Sequence, residues 1–187
     1  MVFPVCYPWG VRLFTRLMFA GVLLIPVLLH SPARANTETP LRRLRMFHTH
    51  TGEHLSVSYR NGSGYDPQGL AQLDRFLRDH RTGDVHHYDP RLFDLLNDLL
   101  ASTGNPETEI HIVCGYRSPR SNEYLRTHTS GVAKRSLHME AEAIDIRLPG
   151  VPAAQVRNLA LALGRGGVGF YPASNFVHVD VGPVRRW

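Results

Sequence analysis

The sequence predicts a single α+β domain, a mainly antiparallel sheet with helices packed on one face. Three observations carry that expectation. Short segments of alternating apolar and polar residues open the domain and fill its last third. Between them lie two longer segments with apolar residues at helical spacing. The 187 residues are 43% hydrophobic and 20% charged, a globular balance that excludes a disordered, collagen-like or coiled-coil chain.

Leu44–His48 and Leu55–Tyr59 alternate on either side of a turn containing Gly52, which reads as a β-hairpin. Pro67 to Asp79 carries Leu70, Leu73, Phe76 and Leu77 at helical spacing. A second helix starts at Asp89-Pro90, with Asp as cap and Pro at the first position, and ends at Thr103-Gly104. Glu109 to Cys114 reads as a buried strand and Ser121 to Arg126 as a short helix, followed by a loop from Thr127 to Leu137. Ala143 to Leu148 alternates, with Ile144, Ile146 and Leu148 on one face and Asp145 on the other. A helix over Ala153–Leu163 and a glycine-rich turn over Gly164–Gly169 follow. Strands at Val168–Tyr171 and Phe176–Val181 complete the domain.

Residues 1–35 stand apart. They hold no acid, two early arginines (Arg12 and Arg16), an apolar run from Leu17 to Leu29 and an Ala33-Arg34-Ala35 cleavage pattern. This reads as a secretory signal, and the run is short for a stable membrane span. The mature domain is then 36–187, with no stable membrane insertion after cleavage. The formal charge of +5 falls to +2 once Arg12, Arg16 and Arg34 are removed, and no basic block is left for a nucleic acid backbone. Cys6 leaves with the signal, so Cys114 has no intrachain partner and reads as a small buried hydrophobe.

The chemistry concentrates in Ser136–Asp145 and Phe176–Gly182. His178 and Asp180 lie opposite the face of Val177, Val179 and Val181, as Asp145 lies opposite Ile144 and Ile146. Neighbouring strands would bring Asp145 and His178 together, and His138 can close the set. Two imidazoles and a carboxylate suit zinc, with a fourth position open as in catalytic sites. The metal site would then occupy the sheet face away from the helices. On the residues alone, separate surface or core side chains are the better account of the pattern.

The order and spacing resemble a family. His138-x6-Asp145, with Ser136 two before the His and Ala143 two before the Asp, then His178 on a strand, resembles the D-Ala-D-Ala carboxypeptidase-like zinc peptidases. Gly115-Tyr116-Arg117-Ser118 is similar to an upstream element of the same group. His50–Glu53, Leu77–Gly83 and Asp89–Leu96 resemble its murein endopeptidase K-like branch, and the likeness spans residues 41–187. The resemblance implies His138, Asp145 and His178 as zinc ligands. It implies that Arg117 faces the scissile carbonyl or a substrate carboxylate, and that Ser136 lines the site. Tyr116 and His128 are further candidates for substrate contact.

Two positions depart from the family pattern. Ala141 stands where glycine is frequent, which fits a backbone outside the left-handed region. Asn175 and Phe176 stand where relatives carry a proton-accepting His or Glu. The base must come from elsewhere, and Asp180, two residues from His178 on the same strand face, is the first candidate. Its rival role is to hold the outer ring nitrogen of a ligand histidine. Glu140 and Glu142 are alternatives as base, or a solvated loop edge. His86 and His87 read as a solvated turn, and His48, His50 and His54 as surface or hairpin-pair residues.

The resemblance implies a zinc-dependent endopeptidase that cuts the peptide cross-links of peptidoglycan, exported to the periplasm of a Gram-negative cell. A zinc carboxypeptidase trimming stem peptides, a non-catalytic murein-binding domain and a zinc enzyme for another exported peptide are the alternatives.

Overall fold

The computed structural model describes residues 41–129 and 131–187. The signal expected over residues 1–35 lies outside them. Eight strands form one sheet: β1 Arg42–His48, β2 His54–Asn61, β3 Gly64–Tyr65, β4 Ile110–Cys114, β5 Ala143–Arg147, β6 Gly167–Tyr171, β7 Phe176–Asp180 and β8 Arg185–Arg186. Their order is β3-β2-β1-β4-β5-β7-β6-β8. Five of the pairings are antiparallel, while β1–β4 and β6–β8 are parallel. The fold is the expected α+β class, a mainly antiparallel sheet.

Four helices punctuate the strands: α1 Pro67–Phe76, α2 Pro90–Ser102, α3 Pro119–His128 and α4 Ala153–Leu163. Three begin alike, with a side-chain cap followed by proline. Asp66, Asp89 and Ser118 accept backbone N–H bonds ahead of Pro67, Pro90 and Pro119. The same signal explains why α3 starts two residues before the expected Ser121. Helix α1 stops at Phe76, short of Asp79, because the Asp79 carboxylate is taken by Ser118 and the Arg81 N–H.

The core lies between α1, α2, α4 and one sheet face. Ile112 sits opposite Ile146, Ile146 opposite Val177, and Val179 between Ile144 and Val168. Leu92, Phe93, Leu96 and Leu99 of α2 cover this face, each at most 1% exposed. Each fully buried side chain of this kind contributes roughly 1.5–3 kcal/mol. This face therefore supplies most of the stability and frees the other for polar chemistry.

One expectation needs correction. His48 is not a surface residue of the hairpin. It is fully buried, and its Nδ1 accepts the His50 and Thr51 N–H groups that close the turn. Cys114 is buried and free, as expected, although it lies outside the main hydrophobic cluster. The register shifts between Ile112 and Cys114, placing Cys114 opposite Asp145. Such a bulge re-aims the side chain after it. Among the described residues no helix is long and apolar enough to cross a membrane.

Candidate metal centre

Asp145 and His178 are direct partners in the β5–β7 register. The flanking Ile144, Ile146, Val177 and Val179 are all buried in the core. Strand alternation therefore sends the Asp145 and His178 side chains to the opposite face. His138 reaches the same point from a 3₁₀ turn over Leu137–Glu140 that precedes β5. Ser136 caps this turn by accepting the His138 N–H.

Three donor atoms converge. His138 Nε2 lies 3.2 Å from Asp145 Oδ1 and 3.2 Å from His178 Nδ1, and the last two are 2.9 Å apart. A tetrahedral ion bonded at about 2.0–2.1 Å holds its ligand atoms roughly 3.3 Å from one another. The donor set fits such an ion. All three residues are under 10% exposed.

The outer nitrogens fix the ring orientations. His138 Nδ1 lies 2.8 Å from the Gly115 carbonyl, which accepts only, so this nitrogen carries a proton and Nε2 is the atom turned to the cluster. His178 Nε2 lies 3.1 Å from Asp180 Oδ2 and donates to it, leaving Nδ1 turned to the cluster. Burial alone would lower the His138 pKa, but the ionised Asp145 beside it dominates and pushes the imidazole up to about 10. Burial opposes the charge on Asp145 as well, yet the two imidazoles hold its carboxyl well below the usual range. The pocket thus favours a positive charge between these groups.

Asp180 is fully buried, and five donors share its two oxygens. Oδ1 accepts from Gly167 N, Gly182 N and Arg185 Nη1; Oδ2 accepts from His178 Nε2 and Arg185 Nη2. Burial would raise its pKa, but these partners hold it at about 2. The carboxylate lies on the far side of the His178 ring from the donor cluster. It has no lone pair to spare for a proton in the cleft.

An open cleft of about 490 Å³ lies over the cluster, lined by Arg117, Ser136, His138, Asp145, His178 and further residues. Helix α3 borders it through Leu125. Arg117 Nη1 donates to Asn122 Oδ1 at 3.3 Å and Nη2 contacts Cys114 Sγ at 3.5 Å, while its buried Nε–H has no partner among the described residues. The Cys114 thiol lies beside this cluster, its sulfur within 4.8 Å of donor atoms of His138 and Asp145, so the three together could hold a metal ion. Tyr116 and His128 stand apart. Tyr116 is buried in the core with its ring 5.1 Å from His86, and exposed His128 stacks on Tyr124. Neither Glu140 nor Glu142 lines the cleft.

Sequence reading missed one wall. Arg185, Trp187 and Tyr171 line the cleft beside His178. The available signal was the glycine run before β6. A Cβ at Gly167 would meet Asp180 and Arg185 side-chain atoms at 2.4 and 2.6 Å, and one at Gly169 would lie 2.6 Å from the Trp187 indole.

Comparison with known proteins shows the family. A family model described as "Peptidoglycan L,D-endopeptidase MepK" matches residues 36–187. The probable peptidoglycan L,D-endopeptidase MepK of Haemophilus influenzae is 42% identical over 172 residues, 91% of this chain and 92% of that protein. The peptidoglycan L,D-endopeptidase MepK of Escherichia coli K12 is 40% identical over 91% of this chain and 94% of that protein. The chain belongs to the MepK family of the D-Ala-D-Ala carboxypeptidase-like peptidases.

Proposed function

We propose that the chain is a zinc-dependent endopeptidase that hydrolyses peptide cross-links of peptidoglycan. The observation that carries this reading is the convergence of His138 Nε2, Asp145 Oδ1 and His178 Nδ1 at the floor of an open cleft. The kinship with proteins named as peptidoglycan L,D-endopeptidases supports a bond between an L- and a D-centre as the target. Residues 1–35 would direct export to the periplasm, where that substrate lies.

Two imidazoles and one carboxylate suit zinc better than magnesium or calcium, which prefer all-oxygen sites. Zinc bound there supplies a Lewis acid for the scissile carbonyl and a water of lowered pKa. The chain does the rest. Gly115 and Asp180 hold the two imidazoles by their outer nitrogens, so both rings present lone pairs without reorganising. Arg117, which lines the cleft, would direct its guanidinium toward the substrate carbonyl oxygen, where negative charge develops. Asn122 fixes that guanidinium and also ties it to the Ala133 carbonyl of the loop ahead of His138. Asp180 serves as orienting group for His178 and not as base, because its oxygens are already filled.

The test is a digest of purified, cross-linked peptidoglycan with the zinc-loaded mature protein, read by mass spectrometry against a chelated control. Loss of muropeptide dimers with matching gain of monomers, abolished by chelator, is the expected result. Loss of a terminal alanine from unchanged dimers would make the protein a carboxypeptidase. Unchanged muropeptides with zinc bound would leave a murein-binding domain.

A further inference from the structure

Arg185 brings a second guanidinium to the cleft. In the sheet order β4, which leads into Arg117, and β8, which carries Arg185, flank the β5–β7 pair on opposite sides. The Arg185 side chain is 41% exposed. Its guanidinium lies 5.0 Å from the centre of the Trp187 indole, and the indole is 5.1 Å from the His178 ring. Trp187 Nε1–H donates to the Tyr171 hydroxyl at 2.8 Å, which fixes the indole as one wall.

An arginine has five N–H donors in a rigid fork. Arg185 Nη1 donates to Asp180 Oδ1 at 3.2 Å and to the Pro183 carbonyl at 3.0 Å, and Nη2 donates to Asp180 Oδ2 at 2.8 Å. The end of the fork is therefore used on Asp180. The side edge, made of Nε–H and the second Nη2–H, has no partner among the described residues. Two parallel N–H groups on a planar cation match a carboxylate. Asp180 cannot be that carboxylate twice, and among the described residues the only other acid lining the cleft is the ligand Asp145.

We propose that this side edge of Arg185 binds the free carboxylate on the carbon that bears the scissile nitrogen, with Trp187 beneath it. The proposal rests on the endopeptidase reading above. A cross-link closed through the amine of an amino-acid centre leaves that centre's own carboxylate free, adjacent to the bond that is cut. Arg117, on the other wall, is then left for the carbonyl oxygen.

Two synthetic cross-linked peptides test this, identical except that one carries the free carboxylate and the other a carboxamide there. Equilibrium binding is measured on the metal-free protein, and kcat/KM on the zinc-loaded protein. Wild type should prefer the carboxylate peptide by roughly 10- to 100-fold in binding, and Arg185→Gln should cut that preference to about twofold. Arg185→Lys keeps the charge without the fork and should fall between. Arg117→Gln should weaken turnover of both peptides and keep the preference. Zinc content and melting temperature establish that each variant is folded. An undiminished preference in folded Arg185→Gln overturns the proposal, as does its loss in Arg117→Gln. Should neither Arg185 variant fold, wild type decides: equal binding of both peptides also overturns it. If wild type prefers the carboxylate in binding but cuts neither peptide, the endopeptidase reading fails and the subsite stands.

Discussion

Asp94 and Asp180 are both buried carboxylates saturated with donors, one at each end of the sheet. Asp94, on α2, accepts from the Tyr59 and Tyr65 hydroxyls and from Arg42 and Arg60. It clips α2 onto β1, β2 and β3. Asp180 accepts from two backbone N–H groups, Arg185 and His178. Burial and saturation are therefore the same at both sites and mark neither as functional. The difference lies one residue further out. None of Asp94's partners leads to a cluster of imidazole and carboxylate groups, whereas His178 presents its other ring nitrogen to His138 and Asp145.

Removing that connecting residue should have the largest effect. His178→Ala is expected to lose metal and to reduce turnover by roughly a thousandfold or more, about 4 kcal/mol of barrier. Metal content and the muropeptide digest measure it. In the same background Asp180→Asn should change metal content no further, which would reduce Asp180 to the status of Asp94. A His178→Ala protein that kept its metal and its activity would defeat the ligand assignment.

Substituting the two acids separately should split two readouts. Asp94→Asn leaves Arg42 and Arg60 poorly paired and should cost about 2–3 kcal/mol in chemical denaturation, with metal affinity unchanged. Asp180→Asn should weaken zinc affinity by about 10- to 100-fold while turnover recovers at saturating zinc. The opposite pattern for Asp180→Asn, full affinity with lost turnover, would restore it as the proton acceptor.

Asp79 is a third saturated carboxylate, bonded to the Ser118 hydroxyl and to the Ser118 and Arg81 N–H groups beside the Arg117 loop. Burial would raise its pKa, but the Ser118 hydroxyl and the Ser118 and Arg81 N–H groups hold it at about 2. A folded-state value below the unfolded one stabilises above the unfolded pKa. The contribution is therefore full above about pH 4 and lost as pH falls through 2. Asp79→Asn should flatten the stability–pH curve in that window by about 1–2 kcal/mol. A curve parallel to wild type between pH 4 and 2 would remove Asp79 from this group of saturated acids.

How far the sequence reached depends on the scale of the signal. Strand parity alone predicts Asp145 and His178 on one face, because alternation is enforced by the buried Ile144, Ile146, Val177 and Val179. His138 lies on a 3₁₀ turn with no period of its own, so the residues alone offered it as able to close the set and the family resemblance singled it out. Asp180 shares the face of His178, but which ring nitrogen it meets is a matter of rotamer, which spacing does not encode. The burial of Cys114 was legible, but its place opposite Asp145 was not, because a register shift reverses the parity of β4 just before it. Tyr116 sits beside Arg117 in sequence yet turns into the core, as neighbours on an extended chain do. Arg185 and Trp187 escaped because a two-residue parallel strand leaves no hydrophobic pattern.

The smallest expected effect joins the two ends of the molecule. Ala141 lies between the turn that carries His138 and the strand that carries Asp145, and its carbonyl accepts the N–H of Asp89, the cap of α2. Its backbone is left-handed, at φ +52° and ψ +37°, contrary to the expectation from the sequence. A Cβ in that region costs roughly 1–2 kcal/mol. The same methyl is fully buried in the core, and its loss would cost about 1 kcal/mol, with a further loss from the flexibility of glycine in the unfolded chain. The terms oppose each other, so Ala141→Gly should change stability by less than about 1 kcal/mol, with zinc affinity within about twofold of wild type. A gain well above that in thermal denaturation would mean that the strain outweighs the packing. A large loss of zinc affinity would mean instead that the methyl itself holds the angle between His138 and Asp145, and that the metal end leans on the core more than its hydrogen bonds indicate.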